Sequence, residues 1–321
     1  MRRATRVIQF GWPHRHYRVT DSTNARAREL VEAGAPHGTV VTAAEQTAGR
    51  GRQGRSWTAP AGKALLYSAV LRPLDQRYLL LPLAVPIALC EAAEELEPGI
   101  ECTIKWPNDI WLEGRKLAGV LIEAKTPGQD SARAGRPGPG SIQPQDGWAV
   151  IGVGLNLSIS ADEFPPDLRA TAISLFDSTK GGRESPRRCL AKRPRQGDSS
   201  REAAAGFTAE GGDGHSARRF PTPLADSERS ASGANLGTSP DLPPTPHTAA
   251  NVLNRHLTRW VEADRATTLA AWRSRDALRG REVSWSGGAG VADGIEDSGD
   301  LVVVAGGDRV VLGAGEVHLR V

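Results

Sequence analysis

The chain has 321 residues, enough for a sizeable core and about two domains, and its 40 basic and 37 acidic residues leave a net charge of +3, too small for bulk electrostatics to make it a nucleic-acid binder. Cys90, Cys102 and Cys189 stand in no metal or redox spacing, which fits a reducing cytoplasm, and the seven histidines form no H-x-x-x-H pair. Neither the basic start Met1-Arg2-Arg3 nor the apolar run Leu79 to Cys90 makes a signal peptide or a membrane span, so an unanchored cytoplasmic protein is expected.

Residues 14 to 19 read as a short strand. Asp21-Ser22-Thr23 then offers caps for a helix from Asn24 to Ala33, with Gly34 as its stop. Three small polar side chains at a helix N-terminus, where backbone N–H groups are free, can grip a polar ligand, although a plain cap needs one. Gly38 to Ala44 is β-branched and reads as a strand that feeds Glu45-Gln46-Thr47 into Gly49-Arg50-Gly51-Arg52-Gln53-Gly54-Arg55-Ser56-Trp57. In that run glycines allow close backbone approach and anion nests, and arginines add fixed charge and planar donors. It suits a phosphate or carboxylate ligand as a lid with little internal order when empty, or else a solvated RG-rich linker touching nucleic acid. Ala64 to Leu71 is the next strand, which places the run between two strands of one sheet.

Leu79 to Leu96 reads as a core helix whose regular part starts at Pro82 or Pro86. Cys102 to Trp106 is a strand held extended at its end by Pro107; Asn108-Asp109 turns the chain; Ile110 to Leu112 begins a hairpin around Glu113-Gly114. On the returning strand, Lys116 to Lys125, strict alternation puts Lys116 on the face of Ala118, Val120, Ile122 and Ala124, and Leu117, Gly119, Leu121 and Glu123 on the other. Lys116 thus either snorkels to solvent or serves a site. Residues 126 to 147 form a core-less hairpin tip. Trp148 to Ile159 is a strand in which Gly152 and Gly154 mark close approach of a ligand or another backbone, and Asn156 is a structural bridge or a ligand contact.

All eight tryptophans lie outside 149 to 259, and residues 178 to 247 are rich in Pro, Gly, Ser, Arg and Ala, so a disordered insertion is expected there. From Ala249 a helix resumes through Leu253, Leu257 and Trp260 and runs on towards Trp272. Short strands at Glu282 to Trp285, Val291 to Ile295, Leu301 to Ala305, Arg309 to Leu312 and Glu316 to Val321 read as a small β-barrel.

The order of the signals is more specific than any one of them. Ser-Thr-Asn at a helix start, Gln-x-x-Gly-Arg-Gly-Arg-x-Gly-Arg-x-Trp, Lys-Trp-Pro-Asn-Asp, Arg-Lys-Leu-x-Gly-x-Leu-x-Glu and Gly-x-Gly-x-Asn follow one another, and the chain thereby resembles the biotin protein ligases. The likeness is dense over residues 19 to 176 and looser over 249 to 321. It implies an α+β fold: a central mixed β-sheet catalytic domain with helices, like the class II synthetases and biotin–lipoate ligases, over 1–275 with the insertion at 178–247, and a small C-terminal SH3-like β-barrel over 276–321. It also implies two half-reactions. The biotin carboxylate attacks the α-phosphate of MgATP to give biotinyl-5′-AMP, and a lysine of a biotin carboxyl carrier domain of an acyl-CoA carboxylase then attacks the mixed anhydride.

By the same resemblance Ser22, Thr23, Asn24 and Gln46 hold the biotin ring and neighbouring atoms, while Gly49, Arg50, Gly51 and Arg52 close over the valeryl chain and phosphates. Lys116 neutralises carboxylate and phosphate oxygens. Trp57 covers adenine, Asn108 and Asn156 lie on the nucleotide side, Lys105 lies near the phosphates, and Asp109 orients or deprotonates the incoming amine or helps to position the metal. Magnesium enters with ATP rather than on protein ligands. The Ser-Thr-Asn signal arrives by residue 22, without room for the winged helix many members carry, so no DNA partner, no membrane and a monomer or weak homodimer are expected. A lipoate or octanoate ligase is the enzyme alternative. A non-catalytic nucleic-acid binder using the Gly-Arg run would want interleaved aromatics, and none stand there.

Overall fold

The computed structural model describes residues 9–74, 76–126, 147–176, 243–313, 315 and 317–319. Among them seven strands make one mixed sheet: β1 (His14–Thr20), β2 (Val40–Gln46), β3 (Ala64–Leu71), β4 (Thr103–Lys105), β5 (Asp109–Leu112), β6 (Arg115–Lys125) and β7 (Trp148–Asn156), in the order β1-β2-β3-β7-β6-β5-β4. β1 and β2 run parallel because helix α1 (Thr23–Glu32) is the crossover between them; the remaining pairs are antiparallel. β3 is buried along its whole length, which accounts for an unbroken apolar run where a half-exposed strand would alternate.

One face of the sheet carries the main core. Leu65, Tyr67 and Ala69 of β3, Ile151 and Val153 of β7, and Ala118 and Val120 of β6 share a cluster with α2 (Leu81–Leu96) and α3 (Pro246–Val261). The buried Tyr67 hydroxyl donates to Asn254 Oδ1 at 2.7 Å, tying β3 to α3. Of the two prolines in α2, Pro82 sits in the first turn and Pro86 is carried inside the helix.

The opposite face is divided. Ala27 and Val31 of α1 pack on Val41, Val70 and Val150. Beyond the end of α1, Ala43 and Leu66 meet Ile159, Phe164 and Ala172, with Trp57 against them. Because α1 is ten residues long and covers only part of this face, a recess remains over the middle strands.

The strand alternation expected for residues 116 to 125 is broken. β5 and β6 shift register between Ile110 and Trp111, so that Ala118 opposes Ile110 but Lys116 opposes Trp111, and Leu117 is the extra residue of a β-bulge. Leu117 and Ala118 are both fully buried in the main core, and Lys116 turns to the face of Gly119, whose Cβ position lies 3.4 Å from Lys116 Cε. The assignment of Lys116 to the face of Ala118 and Val120 is therefore corrected; the bulge delivers it to the recess.

Three boundaries also differ. Strand β4 ends at Lys105, and the chain turns at Trp106, where the Trp106–Pro107 peptide is cis, while Asp109 opens β5 instead of lying in the turn. The helix expected to run on to Trp272 is two: α3 ends at Val261, and α4 (Arg265–Ser274) begins where Asp264 caps it by accepting from Thr267 N at 2.9 Å. Residues 178–242 of the expected insertion lie outside the described residues, as do 127–146, but its last residues are structured: Thr245 accepts from Thr248 N at 3.2 Å and Pro246 occupies the first turn of α3.

The C-terminal strands β8 (Glu282–Trp285), β9 (Gly288–Ile295), β10 (Leu301–Ala305), β11 (Asp308–Leu312) and β12 (His318–Leu319) form a small SH3-like sheet in the order β11-β10-β9-β8-β12. Val283, Ala292, Leu301 and Val303 join the main core cluster, and Trp106 Nε1 donates to Gly299 O at 3.0 Å. Among the described residues no helix is long and apolar enough to cross a membrane.

Candidate active site

The recess is a cavity of about 830 Å³. Ser22, Thr23, Asn24, Gln46, Arg50, Gly51, Arg52, Trp57, Lys105, Asn108, Asp109, Lys116 and Asn156 all border it. Gly49 does not; a Cβ there would lie 2.3 Å from Trp57 O and 2.8 Å from Gln46 Nε2, so this glycine lets two chain segments cross behind the wall.

One end of the cavity is a network of neutral polar groups at the start of α1. Ser22 occupies the N-cap position, yet its side chain caps nothing. Gln46 from β2 supplies the missing acceptor: its Oε1 takes Thr23 N at 2.7 Å and Thr23 Oγ1 at 3.0 Å. Buried Ser68 of β3 lies 2.6 Å from Asn24 Oδ1 and 2.9 Å from Thr23 Oγ1. Its one proton goes to Asn24 Oδ1, which only accepts. Asp21 stands outside this network, its carboxylate accepting Ser22 N at 2.6 Å and pairing with Arg26 at 2.9 Å; the Ser22 N–H is the main reason its pKa lies below the ordinary value.

The other end is charged. Lys116 Nζ is 2.7 Å from Asp109 Oδ1, with side chains 36% and 20% exposed. Main-chain bonds from Lys116 N to Thr171 O at 2.7 Å and from Ile173 N to Lys116 O at 3.0 Å hold the lysine at the bulge. Arg52 Nη1 donates to Asn108 Oδ1 at 3.3 Å, and Asn108 Nδ2 donates to Val120 O at 2.8 Å. Lys105 Nζ lies 5.4 Å from the centre of the Trp111 ring on the same wall. Asn156 donates to Ile173 O at 3.1 Å, the structural bridge of its two readings, while still bordering the cavity.

The glycine-arginine run is a small hairpin rather than a stretch without internal order. Trp57 N donates to Gly49 O at 2.9 Å, Gly51 N to Arg55 O at 2.7 Å, and Arg50 bridges Ser56; a 3₁₀ turn at Arg52–Gly54 closes the tip with Gln53 at φ 56°. The hairpin lays Trp57 over the floor of the cavity. The floor is made of glycine: a Cβ at Gly154 would lie 2.3 Å from Trp57 Cε2, and one at Gly152 would lie 2.2 Å from Asn24 Oδ1. The close approach foreseen at these glycines is that of two side chains, not of a second backbone.

Sequence reasoning missed several residues that line the cavity or support its walls. Phe164, Pro165, Asp167, Leu168 and Thr171 come from the segment after β7, which has turns and no periodic pattern to mark it. Ser68 was hidden in an apolar strand, where a polar residue with no aqueous face is the one available signal. Glu123 accepts from Asn24 Nδ2 at 2.8 Å and Arg50 Nη2 at 3.2 Å. The sequence marked it only as the last residue of Arg-Lys-Leu-x-Gly-x-Leu-x-Glu and by its place on the Gly119 face of β6, and neither gave it a role. Among the described residues no group of His, Cys, Asp and Glu is arranged to hold a metal ion.

The site thus joins a neutral polar pocket at one end, cations at the other and a Gly-Arg hairpin over both, and residues 16–133 match the model of the biotin/lipoate A/B protein ligase family. That match covers 118 of the 321 residues. The bifunctional ligase/repressor BirA of Bacillus spizizenii is 36% identical over 163 residues, covering 50% of this chain and 45% of the relative. The biotin–[acetyl-CoA-carboxylase] ligase of Mycobacterium tuberculosis is 36% identical over 164 residues, covering 49% and 53%. The chain thus spans about half the length of the curated relatives it matches. The solved biotin protein ligase from Aquifex aeolicus in complex with biotin and ATP superimposes with a TM-score of 0.58 at 20% identity, over 97% of this chain and 99% of that one, which shows the shared fold.

Proposed function

We propose that the chain is a biotin protein ligase that activates biotin with MgATP to biotinyl-5′-AMP and transfers it to the lysine of a biotin carboxyl carrier domain of an acyl-CoA carboxylase. The observation that carries this reading is the meeting, in one cavity, of neutral Thr23, Asn24 and Gln46, held from behind by buried Ser68, with Arg50, Arg52 and Lys116. A neutral ring with one carbonyl and two N–H groups wants fixed donors and acceptors without charge; a carboxylate meeting a triphosphate wants cations.

In the first step a carboxylate oxygen of biotin bonds to the α-phosphorus and pyrophosphate leaves with the electron pair of the broken P–O bond. Two anions must meet, and Lys116, Arg50 and Arg52 offset their repulsion. Lys116 faces Asp109 across an ion pair that is partly open to water and contributes about 1 kcal/mol or less, so it can exchange its partner for phosphate oxygens. In the second step the carrier amine attacks the anhydride carbonyl, AMP departs, and the amine has a proton to lose. Asp109, released by Lys116, is the carboxylate in place to orient that amine and accept the proton. Trp57 offers the nucleotide base an aromatic face, with Asn108, Asn156 and Lys105 on the nucleotide side. Magnesium arrives as part of the MgATP substrate. Residues 1–275 are assigned to catalysis and 276–321 to the closing SH3-like unit, acting in the cytoplasm as a monomer or weak homodimer without a DNA partner.

ATP–pyrophosphate exchange tests the reading. Exchange that depends on biotin supports it; exchange with lipoate or octanoate but not biotin reassigns the acyl group; no exchange with any of the three removes adenylation altogether.

A further inference from the structure

We infer that Glu123 is a positioning residue that sets which way the Asn24 carboxamide faces and latches the Gly-Arg hairpin to it through Arg50. The inference deepens the proposed function and rests on it for its effect on biotin, though not for the latch itself.

Glu123 stands on β6 where three segments converge. Its Oε2 accepts from Asn24 Nδ2 at 2.8 Å and from Arg50 Nη2 at 3.2 Å, and Arg28 Nη1 lies 3.8 Å from its Oε1. The carboxylate is 23% exposed, against 40% for Arg50, so the pair is less screened than an open surface bridge. Asn24 is 4% exposed and has two possible orientations of its amide. In the orientation present, Oδ1 faces the Ser68 hydroxyl at 2.6 Å, and Nδ2 faces Glu123 and, at 3.4 Å, Leu121 O. Ser68 does not decide between the two, because a hydroxyl can donate to an oxygen or accept from an NH₂. Glu123 does decide: an ionised carboxylate only accepts, and a flipped amide would set Asn24 Oδ1 against Glu123 Oε2 at hydrogen-bond distance with no proton between them. The same oxygen holds Arg50, so one carboxylate, with Leu121 O as the weaker second acceptor, sets the pattern of donors that Asn24 presents at the neutral end and also seats the hairpin over it.

Glu123→Gln leaves only the longer contact with Leu121 O to favour the present orientation, since a glutamine amide can present either its oxygen or its NH₂, and it removes the charge that holds Arg50. Two measurements on the full-length protein separate the consequences. Timed trypsin digestion without ligand, with peptide mapping of the bond after Arg50, is expected to show cleavage about three- to ten-fold faster in E123Q than in wild type, and Glu123→Asp, which keeps the charge, is expected to recover part of the difference. Biotin-dependent pyrophosphate exchange is expected to show KM for biotin raised about ten-fold with kcat changed less than about three-fold. Equal cleavage rates in wild type and E123Q overturn the latch. An unchanged KM with faster cleavage overturns the control of Asn24. If wild type shows no biotin-dependent exchange, the proposed function fails while the digestion still decides the latch, and a melting curve shared by the variants excludes general unfolding as the source of cleavage.

Discussion

Gly152 and Gly154 offer a paired perturbation that reads the two ends of the cavity separately. They stand two residues apart on β7, so both face the cavity, and each has a different side chain where its Cβ would go. In Gly152→Ala the new methyl would sit 2.2 Å from Asn24 Oδ1, 2.8 Å from Cγ and 2.9 Å from Nδ2. Ordinary carbon contacts need about 3.5 Å, so Asn24 must move by more than about 1 Å, which breaks its 2.6 Å bond with Ser68. Ser68 is fully buried, and losing that acceptor costs about 1–3 kcal/mol. Under the proposed role of Asn24 this displacement weakens its contact with the biotin ring, and a loss of about 2 kcal/mol in binding is a roughly 30-fold rise in KM for biotin. Gly154→Ala instead drives the methyl to 2.3 Å from Trp57 Cε2. Trp57 is only half-buried and can swing into the cavity, so stability should fall by about 1 kcal/mol or less while KM for ATP rises about ten-fold and KM for biotin changes less. Exchange kinetics with each substrate varied in turn, alongside thermal melts, measure the pattern. Equal effects of both variants on both substrates, or an unchanged biotin KM in Gly152→Ala, would refute the division of the cavity into a ring end and a nucleotide end.

Three further outcomes are expected. Lys116→Met keeps the side-chain stem and removes the charge, so exchange should drop by at least about 100-fold with little change in melting temperature; retention of more than a tenth of the rate contradicts its role. Arg52→Gly opens the hairpin tip and should raise free biotinyl-AMP in a protein-free filtrate about ten-fold, whereas wild-type retention of the intermediate counts against a closing role. Asp276, at the junction with the SH3-like sheet, has its carboxyl pushed above the ordinary 3.8 by burial, and its Oδ2 has no hydrogen-bond partner. A raised carboxyl contributes stability that is full below the unfolded pKa and is lost as pH rises through the folded one. Asp276→Asn should therefore gain stability relative to wild type as pH rises from about 3 towards 7, and a difference between the two melting curves that stays flat over that range contradicts the burial argument.

Much of the molecule was legible because its signals are local. The Ser-Thr-Asn helix start, the β-branched strands and the Gly-Arg run each announce themselves within a few residues, and all but Gly49 of the expected site residues border one cavity. What was hidden depends on pairing between distant segments. The bulge at Leu117 is set by the register of β5 on β6, and a period-two reading of β6 alone turns Lys116 to the wrong face. Gly152 and Gly154 signal that something comes close but not what, because Asn24 and Trp57 arrive from more than ninety residues away in sequence. The break between α3 and α4 was missed because Leu257, Trp260 and Trp272 keep helical spacing across it, although Asp264 three residues before Thr267 is a capping signal. The Phe164–Thr171 wall is irregular chain held by turns, with no pattern to read.

The most direct measurement is the identity of what the protein holds after turnover. Incubation with MgATP and an equimolar mixture of biotin, lipoate and octanoate, followed by rapid desalting and mass spectrometry of the released small molecule, should yield biotinyl-5′-AMP at close to one per chain from wild type and almost none from Lys116→Met. Recovery of a lipoyl or octanoyl adenylate would move the chain to another acyl group, and recovery of ATP alone would contradict adenylation in this cavity.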